Sequence, residues 1–356
     1  MNNIKQRIID YLLENADPSI ALRVKKEIIG KLTKKEEEIL LDRIITQKNV
    51  QTVVQSQKPD GWIGNHFHGQ SGIYNAGMYD NMEVGLRYLA EKGFSPKNGY
   101  VSKAVNSFLS KEPFDYSAYR EKGPKAPDTD YTYTASGLYL MRSSIIIRAG
   151  YESLLPKNSF IDLKHDIHFS HKTFANVLNY KNLDEVIDNH RKKLCFKPNT
   201  LWPCLYHLRI LAHSKGWRNE KNISILGESV NRLLSFQQSN EMVYTYIKGQ
   251  FVGPCFAFIG LQMQILNFTN EDSIPLDIME LFARCGIVKN VKLLKNKYKY
   301  LLSLIGDDLT INYNIKPQER NWSPYFGFAL EEDWKTKTKK QCDLLFRILL
   351  IMHYSE

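Results

Sequence analysis

Three apolar stretches of this chain close in the same way: "GLRYLAEKGF" at Gly93, "SIIIRAGY" at Gly150 and "LRILAHSKGW" at Gly216. Each holds an Arg within an apolar run and ends in a Gly followed by an aromatic. Glycine supplies the left-handed residue that stops an α-helix, and the next apolar side chain packs back over the last turn. The three glycines are roughly 60 residues apart, which points to repeated helical units.

Apolar residues recur at three- and four-residue spacing along most of the chain, as in Ile4/Ile8/Leu12, Val84/Tyr88, Leu205/Leu208/Leu211 and Leu344/Ile348/Ile351. The pattern divides into five units, each a helix, a loop rich in aromatics, and a more apolar helix. First helices are expected near residues 41–57, 99–111, 176–194, 219–238 and 276–305. Second helices are expected near 79–92, 136–149, 203–215, 255–267 and 340–354. Only "FIDLKHDIHFSHKTF" (160–174) and "MVYTYIKGQFVG" (242–253) offer strand signals, the latter as a short hairpin. The expected fold is all-α, with repeated helix pairs closing into an α/α toroid over residues 41–356. An N-terminal helical extension precedes it over residues 1–40, where Asp17 ahead of Pro18 and then Gly30 read as caps. An open solenoid is the other arrangement of such pairs. In a closed ring the apolar second helices form the inner wall, and their N-termini gather distant loops at one mouth.

The chain has 356 residues and a net charge of +10, much of it in Lys-rich runs such as "KTKTKK" that read as solvated helix faces. No nucleic-acid motif accompanies the charge, so no nucleic-acid partner is expected. Five cysteines without a CxxC pair suit free thiols in a reducing compartment. The start carries no secretory pattern, and the most apolar run, "LLFRILLIM" (344–352), is far below the roughly 20 residues that span a bilayer. A cytoplasmic location without a transmembrane segment is expected.

"QSQKPDGW" (Gln55 to Trp62) resembles the Q-x-x-D-G-x-W signature of the α/α-toroid superfamily, with Gln57, Asp60, Gly61 and Trp62 matching and one Gly missing. That group contains squalene–hopene-type terpene cyclases and protein prenyltransferase β subunits. Gln238 and Tyr244 form a weaker echo. The resemblance implies that Gln57 and Trp62 tie adjacent repeats, and that an apolar or isoprenoid small molecule is the substrate. "DTDYT" (128–132) is similar to the D-x-D-D-T acid motif of class II terpene cyclases, with Tyr131 in place of the last Asp. By that likeness Asp130, helped by Asp128, protonates the substrate. From the residues alone, the same stretch reads as a cap for the helix that follows.

Cys204 and His207 lie three apart on one helical face, and Cys255 follows a Pro in the same way as Cys204 does. Thiolate and imidazole are zinc ligands, and His66 or His68 would complete a Zn2+ set like those of prenyltransferases and lanthionine cyclases. Buried structural cysteines are the alternative. Aromatic loop residues, among them Trp62, Tyr131, Tyr133, Trp202, Trp322 and Tyr325, can line a pocket that steadies a cation or stacks on a sugar. Glu331, Glu332 and Asp333 suit a helix N-terminus. Two further readings stay open. One is a carbohydrate-active (α/α) barrel using Asp128, Asp130, Tyr131 and His66/His68 on a glycan. The other is a non-catalytic helical-repeat binding protein.

Overall fold

The computed structural model describes residues 2–68, 81–111, 133–156, 159–198, 200–247, 249–253, 256–266, 276–313, 315 and 321–356. Helices dominate, but the chain is not all-α: one four-stranded sheet accompanies them. The helices are α1 Asn2–Asn15, α2 Pro18–Arg23, α3 Lys34–Ile45, α4 Lys48–Gln55, α5 Met82–Glu91, α6 Gly99–Leu109 and α7 Tyr133–Arg148. There follow α8 Leu163–Asn176, α9 Leu205–His213, α10 Glu220–Ser235, α11 Leu276–Arg284, α12 Lys292–Ser303 and α13 Lys337–Ser355. No described helix is long and apolar enough to cross a membrane. The chain divides into two compact units, one of residues 1–110, 276–283 and 298–356, the other of residues 111–275 and 284–297.

In the first unit the N-terminal 40 residues belong with the helices after them. All ten residues of α5 are buried, and α13 is buried from Cys342 to Met352. Both are expected second helices, and each buries charged residues along with its apolar ones: Glu83, Arg87 and Glu91 in α5, Asp343 and Arg347 in α13. The turn after α4 carries the Q-x-x-D-G-x-W residues. Gln57 Nε2 donates to Gly61 O at 3.0 Å and to Tyr100 O in α6 at 2.9 Å. Asp60 Oδ1 accepts the Trp62 N–H at 3.0 Å. Gly61 has φ +90°, and a Cβ there would lie 2.1 Å from Lys103 O. Only glycine allows that approach.

The same turn recurs after α12, where the sequence keeps only the Asp and the Ile, at Asp308 and Ile311. Gln57 bridges to Ile63, and Ile305 to Ile311. Gly61 N–H donates to Lys58 O and Leu309 N–H to Gly306 O, both at 2.9 Å. Asp308 Oδ1 accepts the Thr310 N–H at 3.0 Å, as Asp60 does for Trp62. Leu309 stands where Gly61 does and takes φ 64° without a glycine.

The acids at 331–333 do not open α13, which is capped by Thr336 instead. Glu331 reaches back to α2, accepting the Asp17 N–H at 2.9 Å and pairing with Lys339 at 2.8 Å. Glu332 accepts the Lys48 N–H at the start of α4 at 2.8 Å. Asp17 begins α2 ahead of Pro18, yet its carboxylate makes no cap bond and receives Lys339 and the Glu332 N–H instead. Burial, reinforced by the charges of Asp17 and Asp343, raises the Glu331 carboxyl to about 8 against the pull of Lys339. The folded state therefore holds a proton that the unfolded chain releases, so this group costs stability as pH rises from its ordinary range to 8. Glu331→Gln is expected to raise the melting temperature more at pH 8 than at pH 5. Equal shifts at the two pH values would contradict it.

The second unit packs α9 against α7 and α8, with Leu205–Ala212 of α9 buried. Two strand assignments change. The 160–174 stretch is helical: Asp162 accepts the His165 N–H at 3.0 Å and starts α8, whose buried Leu163, Ile167, Ser170 and Phe174 share a face. The expected helix at 176–194 gives way to the hairpin of β1 Ile187–His190 and β2 Lys193–Phe196. Its turn sets Arg191 and Lys192 at φ 48° and 66°, a conformation that Asn-Gly ordinarily signals. The expected hairpin at 242–253 is present as β3 Val243–Ile247 and β4 Gln250–Val252, and β2 joins β3 in parallel. In place of a second helix at 255–267 there is a short 3-10 helix, Gly260–Leu266. Gly93 and Gly150 take positive φ as helix stops, whereas α9 ends in extended backbone at Ser214, before Gly216.

Candidate functional site

The site grows from α5. Asn81 caps it by accepting the Val84 N–H at 2.9 Å, and the 66–68 segment runs alongside its first turn. His66 O accepts the Met82 N–H at 2.9 Å and Phe67 O the Glu83 N–H at 3.0 Å. This seats His68 against Glu83, with His68 Nδ1 2.5 Å from Glu83 Oε2. On the far side, His68 Nε2 is 3.2 Å from the Tyr325 hydroxyl, and the two rings meet edge to face at 5.5 Å. His68 and Glu83 are buried, while Tyr325 is half-buried.

Glu83, Arg87 and Glu91 occupy successive turns on one face of α5, all buried. Arg87 donates to Pro324 O at 2.8 Å, Phe326 O at 3.1 Å and Ser323 O, clamping the loop that carries Tyr325. Glu91 pairs with Arg23 at 2.6 Å and Arg347 at 3.2 Å, and Arg347 also pairs with Glu280 at 2.6 Å. One helix thus holds the imidazole at its N-terminus, the phenol's loop at its middle and a buried ion network at its end.

The chemistry follows from the donors. Where Glu83 is ionised it only accepts, which places the His68 proton on Nδ1. Nε2 then offers its lone pair to the Tyr325 O–H. The carboxylate fixes the tautomer and stabilises the imidazolium formed when the phenol gives up its proton, the logic of a nucleophile–base–orienter triad. The first turn of α5 also favours negative charge at Glu83.

The other sequence candidates fall elsewhere. His66 does not join the pair, and its buried Nδ1 has no partner among the described residues. Trp62 packs against Phe67 and Phe108 at 6.3 and 5.7 Å. The indole N–H of Trp202 donates to Phe258 O at 3.0 Å, and that of Trp322 to Ala329 O at 2.8 Å. All three tryptophans are at most 6% exposed. Asp128, Asp130, Tyr131 and Cys255 lie outside the described residues, as does the side chain of Tyr133.

Cys204 and His207 do meet at the start of α9, with Sγ 3.1 Å from Nδ1. Nδ1 also accepts the Cys204 N–H at 3.0 Å, which makes the imidazole a helix cap. Burial pushes the Cys204 thiol up to about 12 and the His207 imidazole down to about 3, so both are neutral. No group of three or more His, Cys, Asp or Glu is placed to hold a metal among the described residues, and Cys255 lies outside them. As they stand, the two residues form a neutral capping pair at the start of α9. The described cysteines, Cys195, Cys204, Cys285 and Cys342, are free and buried.

No family model, curated protein or solved structure matches the chain. His68 and Tyr325 were legible as loop residues of interest, but Glu83 was not singled out. Its available signal is the charged stripe Glu83/Arg87/Glu91 at four-residue spacing through an otherwise apolar helix.

Proposed function

We propose that the chain is an enzyme of the α/α-toroid type that moves a proton through His68. The terpene cyclase and prenyltransferase likeness supplies the substrate class, an apolar or isoprenoid small molecule. The observation that carries the reading is the imidazole held at both nitrogens, by Glu83 at 2.5 Å and by Tyr325 at 3.2 Å. Further support comes from the Gln57 bond to α6 and the recurrence of the same turn after α12, which is how toroid repeats are joined. In this reading Tyr325, the most accessible member, meets the substrate, His68 is the base, and Glu83 orients it.

A panel of isoprenoid diphosphates and polyenes, assayed with product analysis, tests the proposal. Positioned acid–base groups contribute about 10²–10⁴-fold, so His68→Ala should cost that much in turnover and Tyr325→Phe a comparable amount. Turnover that survives both substitutions would sink the proposal. The non-catalytic repeat reading draws on the packing of Trp62, Trp202 and Trp322. Under it, His68→Ala lowers the melting temperature and no member of the panel is turned over.

A further inference from the structure

The second unit holds an open groove of about 1060 Å³ between the 152–156 and 159–164 segments, α8 and the start of α10. Its volume is that of a large small-molecule site. Ile161, Leu163, Ile167 and Trp217 are buried and form an apolar floor.

Charge decides what such a groove accepts. Two carboxylates line it, and both are spent on backbone amides. Glu152 takes the Lys215 N–H at 2.9 Å and the Gly216 N–H at 2.7 Å, and Asp162 takes the His165 N–H. The cationic side chains of Lys164 and Lys215 are exposed and form no ion pair among the described residues. His168 is exposed beside them. His171 adds no charge: its Nε2–H donates to Asn222 O at 3.0 Å and burial lowers its pKa. The groove therefore offers two ammonium groups without an ion pair over an apolar floor, while its two carboxylates keep their charge but are turned onto backbone amides.

We infer that this groove binds an amphiphilic organic anion, an apolar body carrying a carboxylate or phosphate head. The inference uses none of the groups around His68 and stands or falls without them. Titration calorimetry of the intact chain at low salt, with dodecanoate below its micelle concentration, tests it. Dodecanoate is expected to bind at one site per chain, while dodecanol and inorganic phosphate bind at least tenfold more weakly. The double variant Lys164→Ala/Lys215→Ala should weaken dodecanoate at least tenfold, and Lys172→Ala, an exposed change on α8 outside the lining, should not. The inference is overturned if dodecanoate fails to bind or binds the double variant undiminished. It is also overturned if dodecanol or phosphate alone binds as well.

Discussion

Arg347→Leu is expected to lower the melting temperature by on the order of 10 °C. Arg347 is buried, with Nη1 on Glu91 and Glu280 and with Nε and Nη2 on Phe328 O at 3.1 and 2.6 Å. The network sets Arg23 and Arg347 against Glu27, Glu91 and Glu280. Without Arg347, Glu91 and Glu280 lose the guanidinium that bridges them, and the Phe328 carbonyl loses both donors. Removing one partner of a buried ion pair typically costs about 3–5 kcal/mol, because the charges left behind stay buried. Leucine restores volume but not charge, so the loss should persist, and Arg347→Lys should recover part of it. Thermal unfolding followed by circular dichroism reads the difference. A shift under 2 °C, well below the ~3–5 kcal/mol cost, would show that the network contributes little.

Gly61→Ala should be nearly as damaging, and for a different reason. The backbone takes φ +90°, and the added methyl would stand 2.1 Å from Lys103 O and 2.6 Å from its carbonyl carbon. Backbone atoms cannot swing aside as a side-chain end can, so α6 or the turn must move. Strain and displacement together should cost about 3 kcal/mol or more. Gly30→Ala is the control: φ is +69° but nothing lies within 4 Å. It should lose only about 1 kcal/mol, the left-handed penalty alone. Equal losses at the two positions would mean that the Lys103 contact carries no weight.

Signals that depend on spacing along one element were legible in the sequence. The buried α5 and α13 are two of the expected second helices, and the 242–253 hairpin is bounded by Gly249 at φ 86°. Features whose local chemistry departs from habit were not. Arg191 and Lys192 turn a hairpin without Asn or Gly, and Leu309 fills a glycine's place in the second copy of the Gln57 turn. Alternating His and apolar residues in α8 mimic a strand pattern, and only the Asp162 cap marks the helix start. The site fails for a third reason. His68 is 15 residues from Glu83 and 257 from Tyr325, so only tertiary packing joins them. The capping role of His207 was hidden because Cys and His three apart also suit a metal.

The central claim is that His68 is held as the Nδ1–H tautomer between Glu83 and Tyr325. Nitrogen-15 NMR of the imidazole reads this directly, with His68→Gln assigning the resonances. The expected spectrum has a protonated Nδ1, its proton strongly deshielded by the 2.5 Å contact, and an unprotonated Nε2 whose shift moves in Tyr325→Phe. A protonated Nε2 with a bare Nδ1, or an Nε2 shift indifferent to Tyr325→Phe, would contradict the relay.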